Sequence, residues 1–150
     1  MNSDEYYMQA AIDEAKKAKT NGEWPFGAVV VYKEKIIARN RRSESRDKTV
    51  IAHAELQAVN DACKQLGTID LTDCSIYCSN EPCLMCASAI FQAHISKIVI
   101  GASRSDFPHL LRPRKLHIED LAQDLSYTPE IVRGVLKKSV VALFTDIRKN

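Results

Sequence analysis

The chain has 150 residues, 45% of them hydrophobic and 27% charged, with a formal net charge of +2. That length fits one domain able to bury roughly 70% of the surface its unfolded chain exposes, and the composition excludes a disordered tail or a fibre. The small positive charge permits contact with nucleic acid without demanding it, no apolar run approaches the roughly 18 residues of a membrane span, and five cysteines are an odd number for a disulfide framework.

The amino terminus, MNSDEYYMQAAIDEAKKAK, is acidic and amphipathic where a signal peptide is basic and then apolar, so the expected location is the cytoplasm. Residues 3–20 carry Tyr6, Tyr7, Ala10, Ala11, Ala15 and Ala18 at helical spacing, with Ser3 as N-cap and Asn21-Gly22 as stop. FGAVVVY (26–32) and KIIARN (35–40) read as an antiparallel hairpin through Lys33-Glu34, a pair without the favoured Asn-Gly chemistry. SESRDKT reads as a polar loop, and His53 to Leu66 as a helix stopped by Gly67. A strand CSIYC (74–78), a helix LMCASAIFQA (84–93) and a strand ISKIVIG (95–101) follow. Strands alternating with helices imply parallel pairing and a three-layer α/β domain. Residues 102–129 are polar and contain proline, with a short helix at 118–125. EIVRGV (130–135) reads as a fifth strand and LKKSVVALFTDIRK (136–149) as a terminal helix. No repeat or linker divides the chain, which is read as a single domain over 1–150.

Two helix starts carry chemistry. Cys83 and Cys86 open the helix after a strand, where unpaired backbone N–H groups favour thiolates suited to a redox pair or a metal. Thirty residues upstream, AHAE places His53 and Glu55 at another helix start. Either residue alone reads as a cap or a dipole-complementing charge. Helices that follow parallel strands, however, begin along one edge of the sheet, where His53, Cys83 and Cys86 converge. One nitrogen and two sulfurs suit Zn²⁺ with a fourth position open, the arrangement of catalytic zinc. Glu55 is the carboxylate at hand to move protons. The other cysteines, Cys63, Cys74 and Cys78, read as small buried residues.

H-x-E followed after about thirty residues by P-C-x-x-C is a deaminase signature. With the opening helix, PFGAVVV, AHAE, NEPCLMCASAI and IVIGA in order, the chain resembles the cytidine deaminase superfamily, in the branch of tRNA adenosine deaminases, guanine deaminases and yeast-type cytosine deaminases. The resemblance implies a three-layer α/β/α sandwich around a mixed five-stranded sheet, and a homodimer. It also implies one zinc per chain on His53, Cys83 and Cys86, with Glu55 as the proton shuttle of a hydrolysis that replaces a ring amino group and releases ammonia. By the same likeness Ala54 and Pro82 line the pocket. Phe26 of PFG is either a base-packing or a core residue.

Substrate recognition is less uniform. Family members often bear a substrate-binding asparagine eleven residues before the metal histidine; a gapless count reaches Arg42, and Asn40 only with compensating gaps. In place of the small-residue GA-G-S stretch of tRNA adenosine deaminases the chain has SRSDFPHLLRPRKLHIEDL, whose Asp106, Phe107 and His109 are candidate substrate contacts and whose RPRK (112–115) is a candidate phosphate grip. The reading favoured is therefore a deaminase of a free base or nucleoside, guanine-like because of PFGA. The alternatives are tRNA wobble-adenosine deamination, suggested by EIVRGVLKKSVVALF, and a non-catalytic zinc or RNA-binding module, against which Glu55 speaks.

Overall fold

Asn2, not Ser3, caps the first helix, α1 (Ser3–Thr20): its Oδ1 accepts the Glu5 backbone N–H at 2.8 Å. Asn21 and Gly22 end it, the glycine at φ +80°. The computed structural model describes residues 2–148. After α1 come β1 (Gly27–Tyr32) and β2 (Lys35–Arg41), a short helix α2 (Glu44–Asp47), and α3 (Ala54–Leu66). Then follow β3 (Cys74–Asn80), α4 (Leu84–Gln92), β4 (Lys97–Ala102), a 3₁₀ turn at Arg104–Asp106, α5 (Ile118–Asp124), β5 (Glu130–Arg133) and α6 (Lys137–Ala142).

One five-stranded mixed sheet runs β2-β1-β3-β4-β5. β1 pairs antiparallel with β2 and β3, while β3–β4 and β4–β5 are parallel. Parallel pairing thus holds for the later strands and fails for β1, whose short hairpin return forces it to oppose β2. The consequence is that β2, β3, β4 and β5 all end at one edge, and β1 alone begins there. The hairpin closes through Lys33 and Glu34, both left-handed (φ 49° and 64°), as a two-residue primed turn requires. The Tyr7 hydroxyl donates to the Glu34 carbonyl at 2.8 Å and ties this turn to α1.

Strand residues alternate between two cores. Ala28, Val30, Ile76, Cys78, Ile98 and Ile100 pack with residues of α3, α4 and α5 on one face. Val29, Val31, Tyr77 and Val99 pack with α1 and α6 on the other. Burial on both faces explains why the inner strands read as continuous apolar runs. Gly27 lets α1 lie against the start of β1, since a Cβ there would meet the Ala11 carbonyl oxygen at 2.1 Å.

Several boundaries differ from the sequence reading; β3, for one, extends to Asn80. Residues 44–47 of the expected loop form α2, β5 stops before Gly134 (φ 86°), and the terminal helix is confined to α6. The last residue of that expected helix, Lys149, lies outside the described residues. Cys74 and Cys78 are buried, but Cys63 is only partly so. Among the described residues no helix is long and apolar enough to cross a membrane.

Candidate active site

The edge where β2, β3 and β4 end supplies the beginnings of α3 and α4. His53 and Cys83 are the extended residues immediately before those helices (φ/ψ −90°/149° and −68°/170°), and neither side chain caps its own helix. Ring and thiol are thereby free to turn toward one another. Cys86 joins them from the first turn of α4. His53 Nδ1 stands 3.6 Å from Cys83 Sγ and 3.6 Å from Cys86 Sγ. The three ligand atoms lie within 4.8 Å of one another.

Those distances can be compared with a metal's needs. Zn–S bonds of about 2.3 Å and Zn–N bonds of about 2.0–2.1 Å at a tetrahedral angle separate nitrogen from sulfur by about 3.6 Å. The donors fit zinc in type and in spacing. The two thiols also respond to each other. The Cys86 hydrogen bond, with that of His53 adding to it, holds Cys83 far below the usual thiol range, while the same contact pushes Cys86 up. His53 is raised chiefly by its hydrogen bond with Cys83, against the effect of burial.

The other ring nitrogen of His53 is held from α2. Glu44 Oε2 lies 2.9 Å from Nε2, and Glu44 Oε1 lies 3.4 Å from Arg42 Nη2. A carboxylate accepting Nε2–H fixes the tautomer that leaves the Nδ1 lone pair facing the sulfurs. The four-residue α2 is itself seated by Glu23, a buried carboxylate that accepts the Arg46 N–H at 2.9 Å and the Ser45 N–H at 3.3 Å. Neither Glu44 nor Glu23 is visible in the motifs, because each acts through a tertiary contact.

Glu55, in the first turn of α3, is 5% exposed. Burial pushes its carboxyl up to about 7 against the opposing hydrogen bond with Cys86. Because His53 stands outside the helix, His53 and Glu55 both border one cavity despite their two-residue spacing. A carboxyl balanced near neutrality beside a metal-type donor set is suited to taking up and returning a proton.

Of the residues expected to meet substrate, Phe26, Arg42, Ala54 and Phe107 line this cavity. The Arg42 guanidinium lies 5.3 Å from the Phe26 ring centroid, and Phe107 is buried against Phe144 at 4.6 Å between ring centroids. Four others lie elsewhere. Asn40 donates from Nδ2 to Asp61 at 2.8 Å, away from the lining, so of the two positions considered for the family asparagine only Arg42 borders the cavity. Pro82 is buried without lining it. Asp106 accepts the Ser103 N–H at 2.8 Å and pairs with Lys137 at 2.9 Å, and His109 is exposed in the following turn.

The sequence reading missed Asn80, Glu81, Ala102, Ser103, Arg104 and Leu111, which complete the wall. Asn80 and Glu81 belong to the same NEPC run as Cys83, and Ser103 and Arg104 follow β4. The rule that ligands gather at carboxyl ends of strands was the available signal. A second cavity adjoins the first, sharing Glu81, Ser103, Arg104 and Leu111 and adding Arg114 of RPRK and Arg133.

Comparison with known proteins agrees with this arrangement. Residues 1–102 match the model of the cytidine and deoxycytidylate deaminase zinc-binding region. The chain is 36% identical to the tRNA-specific adenosine deaminase of Bacillus subtilis (strain 168) over 159 aligned positions, covering 99% of this chain and 93% of that protein. A structure from a study of A-to-I editing by tRNA:A34 deaminases at the wobble position superposes with a TM-score of 0.78 at 29% identity, covering 92% of this chain and 98% of that one. The guanine deaminase of Bacillus subtilis superposes with a TM-score of 0.68 at 37% identity, covering 72% of this chain and 69% of that one. The chain therefore belongs to the cytidine and deoxycytidylate deaminase family and is a hydrolytic deaminase.

Proposed function

We propose that this deaminase converts adenosine to inosine at the wobble position of tRNA. The observation that carries the reading is the extent of similarity to the Bacillus subtilis tRNA-specific adenosine deaminase, which takes in almost the whole of both chains. The likeness to a guanine deaminase is as high in identity but spans 72% of this chain. The preference for a guanine-like base, drawn from PFGA, gives way on that comparison. The absence of the GA-G-S stretch carries less weight than expected, since similarity to the adenosine deaminase continues through the region that replaces it.

In this reading His53, Cys83 and Cys86 hold one zinc ion per chain. Zinc in such a site supplies Lewis-acid activation of water. Glu55 accepts a proton from the attacking water and delivers protons to the ring nitrogen and the departing amine, so that adenosine and water become inosine and ammonia. Its burial keeps it able to hold a proton near neutral pH, which supports both halves of that role. Glu44 orients His53. Phe26 and Phe107 supply apolar wall for the base, and Arg42 is held over Phe26 by its pair with Glu44. Arg104 and Arg114, along the adjoining cavity, are placed for phosphates flanking the target nucleoside. The active form is a homodimer, as the family resemblance implies.

The test is to incubate purified protein with an anticodon stem-loop bearing adenosine at the wobble position, digest the RNA and quantify nucleosides. Inosine at that single position is the expected result. Its absence, with ammonia released from free guanine, would refute the reading.

A further inference from the structure

Among the described residues, two buried side-chain polar atoms lack a hydrogen bond: Glu14 Oε2 and Asn80 Nδ2. The first is answered by Lys17 Nζ at 2.9 Å. Asn80 Nδ2 has no such answer, on a residue 3% exposed. A buried donor without a partner is rare enough in a folded protein to require a reason.

The local network fixes which end of the amide is free. The Gly27 backbone N–H, a group that can only donate, gives its hydrogen to Ser79 Oγ at 3.0 Å. Ser79 Oγ in turn lies 2.9 Å from Asn80 Oδ1, so its hydroxyl donates there. Exchanging the amide's oxygen and nitrogen would turn a second donor on the serine oxygen and leave the hydroxyl hydrogen without that acceptor. Oδ1 is therefore committed to Ser79, and the NH₂ group carries the amide's unused hydrogen bonds.

Its position gives those donors a purpose. Asn80 is the last residue of β3, in register with Ala102 at the end of β4, and both line the cavity that holds His53, Glu55 and Cys83. Two other polar groups of the wall are already engaged. His53 Nε2 is held by Glu44, and Glu81 accepts from the Arg104 N–H and from Arg133. Asn80 offers a neutral donor, which matches a neutral lone pair such as a purine ring nitrogen or a ribose oxygen.

We propose that Asn80 is a specificity-determining residue, its side-chain NH₂ donating to an acceptor on the substrate's purine or ribose. The proposal rests on the adenosine reading above for the identity of that substrate. It predicts a chain of orientation from Gly27 through Ser79 to Asn80, so that the backbone at the start of β1 sets the direction of a substrate-reading amide.

The test pairs Asn80→Leu with stem-loops carrying 3-deazaadenosine, 7-deazaadenosine or 2′-deoxyadenosine at the target position. Wild-type protein should lose about 10–100-fold in kcat/KM on one of the three, the loss expected when a buried hydrogen bond is left unmade. Asn80→Leu should lose a similar factor on adenosine and show no further loss on that same analogue. Its melting temperature and zinc content should match wild type, a pattern a merely structural asparagine would not give. Asn80→Asp, which keeps the acceptor for Ser79, replaces the leucine variant if that one does not fold. Wild-type kcat/KM in the variant, or equal discrimination of all three analogues by variant and wild type, would overturn the proposal. If wild type deaminates guanine and no adenosine, the adenosine reading falls by itself. The same coupling is then measured with guanine, 3-deazaguanine and 7-deazaguanine, where a shared loss supports the role of Asn80 and its absence overturns it.

Discussion

Replacing Glu55 with glutamine isolates the proton-transfer step. The side chain keeps its length and shape but no longer accepts a proton. Among the described residues no other carboxyl lining the cavity is free to substitute, because Glu81 is tied to Arg133 at 3.0 Å and to the Arg104 N–H at 3.1 Å. The full contribution of a positioned acid–base group should therefore be lost, about 10²–10⁴-fold in turnover, or about 2.7–5.4 kcal/mol of transition-state stabilisation at 1.36 kcal/mol per decade. Fold and metal should persist, since Glu55 is not among the three ligand-type residues that cluster, and a neutral amide is easier to bury than a carboxylate. Single-turnover inosine formation on the stem-loop reads the chemical step, with metal analysis and thermal melting of the same preparation as controls. Near-wild-type turnover in Glu55→Gln would mean that Glu55 is an ordinary helix-start carboxylate and that the assigned chemistry is wrong.

Glu44→Gln should lower zinc affinity about 10–100-fold, as loss of a carboxylate that orients a ligating histidine typically does; competition with a chromogenic chelator measures it, and unchanged affinity would remove Glu44 from the site. Gly27→Ala should destabilise the fold by about 1–3 kcal/mol or more, because the added Cβ meets backbone atoms of α1 at 2.1 and 2.5 Å; a melting temperature equal to wild type would refute the close approach. Stem-loop binding should weaken steeply as salt rises, because phosphate contacts release counterions. A titration by fluorescence anisotropy checks this, and a flat salt dependence would argue for a free-base substrate.

The metal-type cluster was legible because its residues mark helix starts with motif spacing: PCLMC follows β3 directly, AHAE follows β2 after the short α2 and a loop, and the sheet brings both starts to one edge. The inner strands were legible from their apolar runs. What escaped the sequence depends on distant partners. Helix α2 has four residues and no apolar stripe; it exists where Glu23, 22 and 23 residues before Ser45 and Arg46, receives their N–H groups. Phe107 and Leu110 enter the core shared by α1 and α6 from a segment with neither helical nor strand period, so no pattern announced them. In the sequence Asn80 is only the first residue of the NEPCLMCASAI run, two positions beyond the expected strand. Only the hydrogen bonds of Gly27 and Ser79 reveal that one side of its amide is spoken for and the other is free.

The proposed action of this deaminase is on adenosine in tRNA and not on a free purine. It is tested most directly by giving one zinc-loaded preparation equal concentrations of the anticodon stem-loop and guanine in the same vessel and following inosine and xanthine together. Inosine at the wobble position, with xanthine at background, is the result predicted. Xanthine accumulating while the stem-loop adenosine stays intact would contradict it.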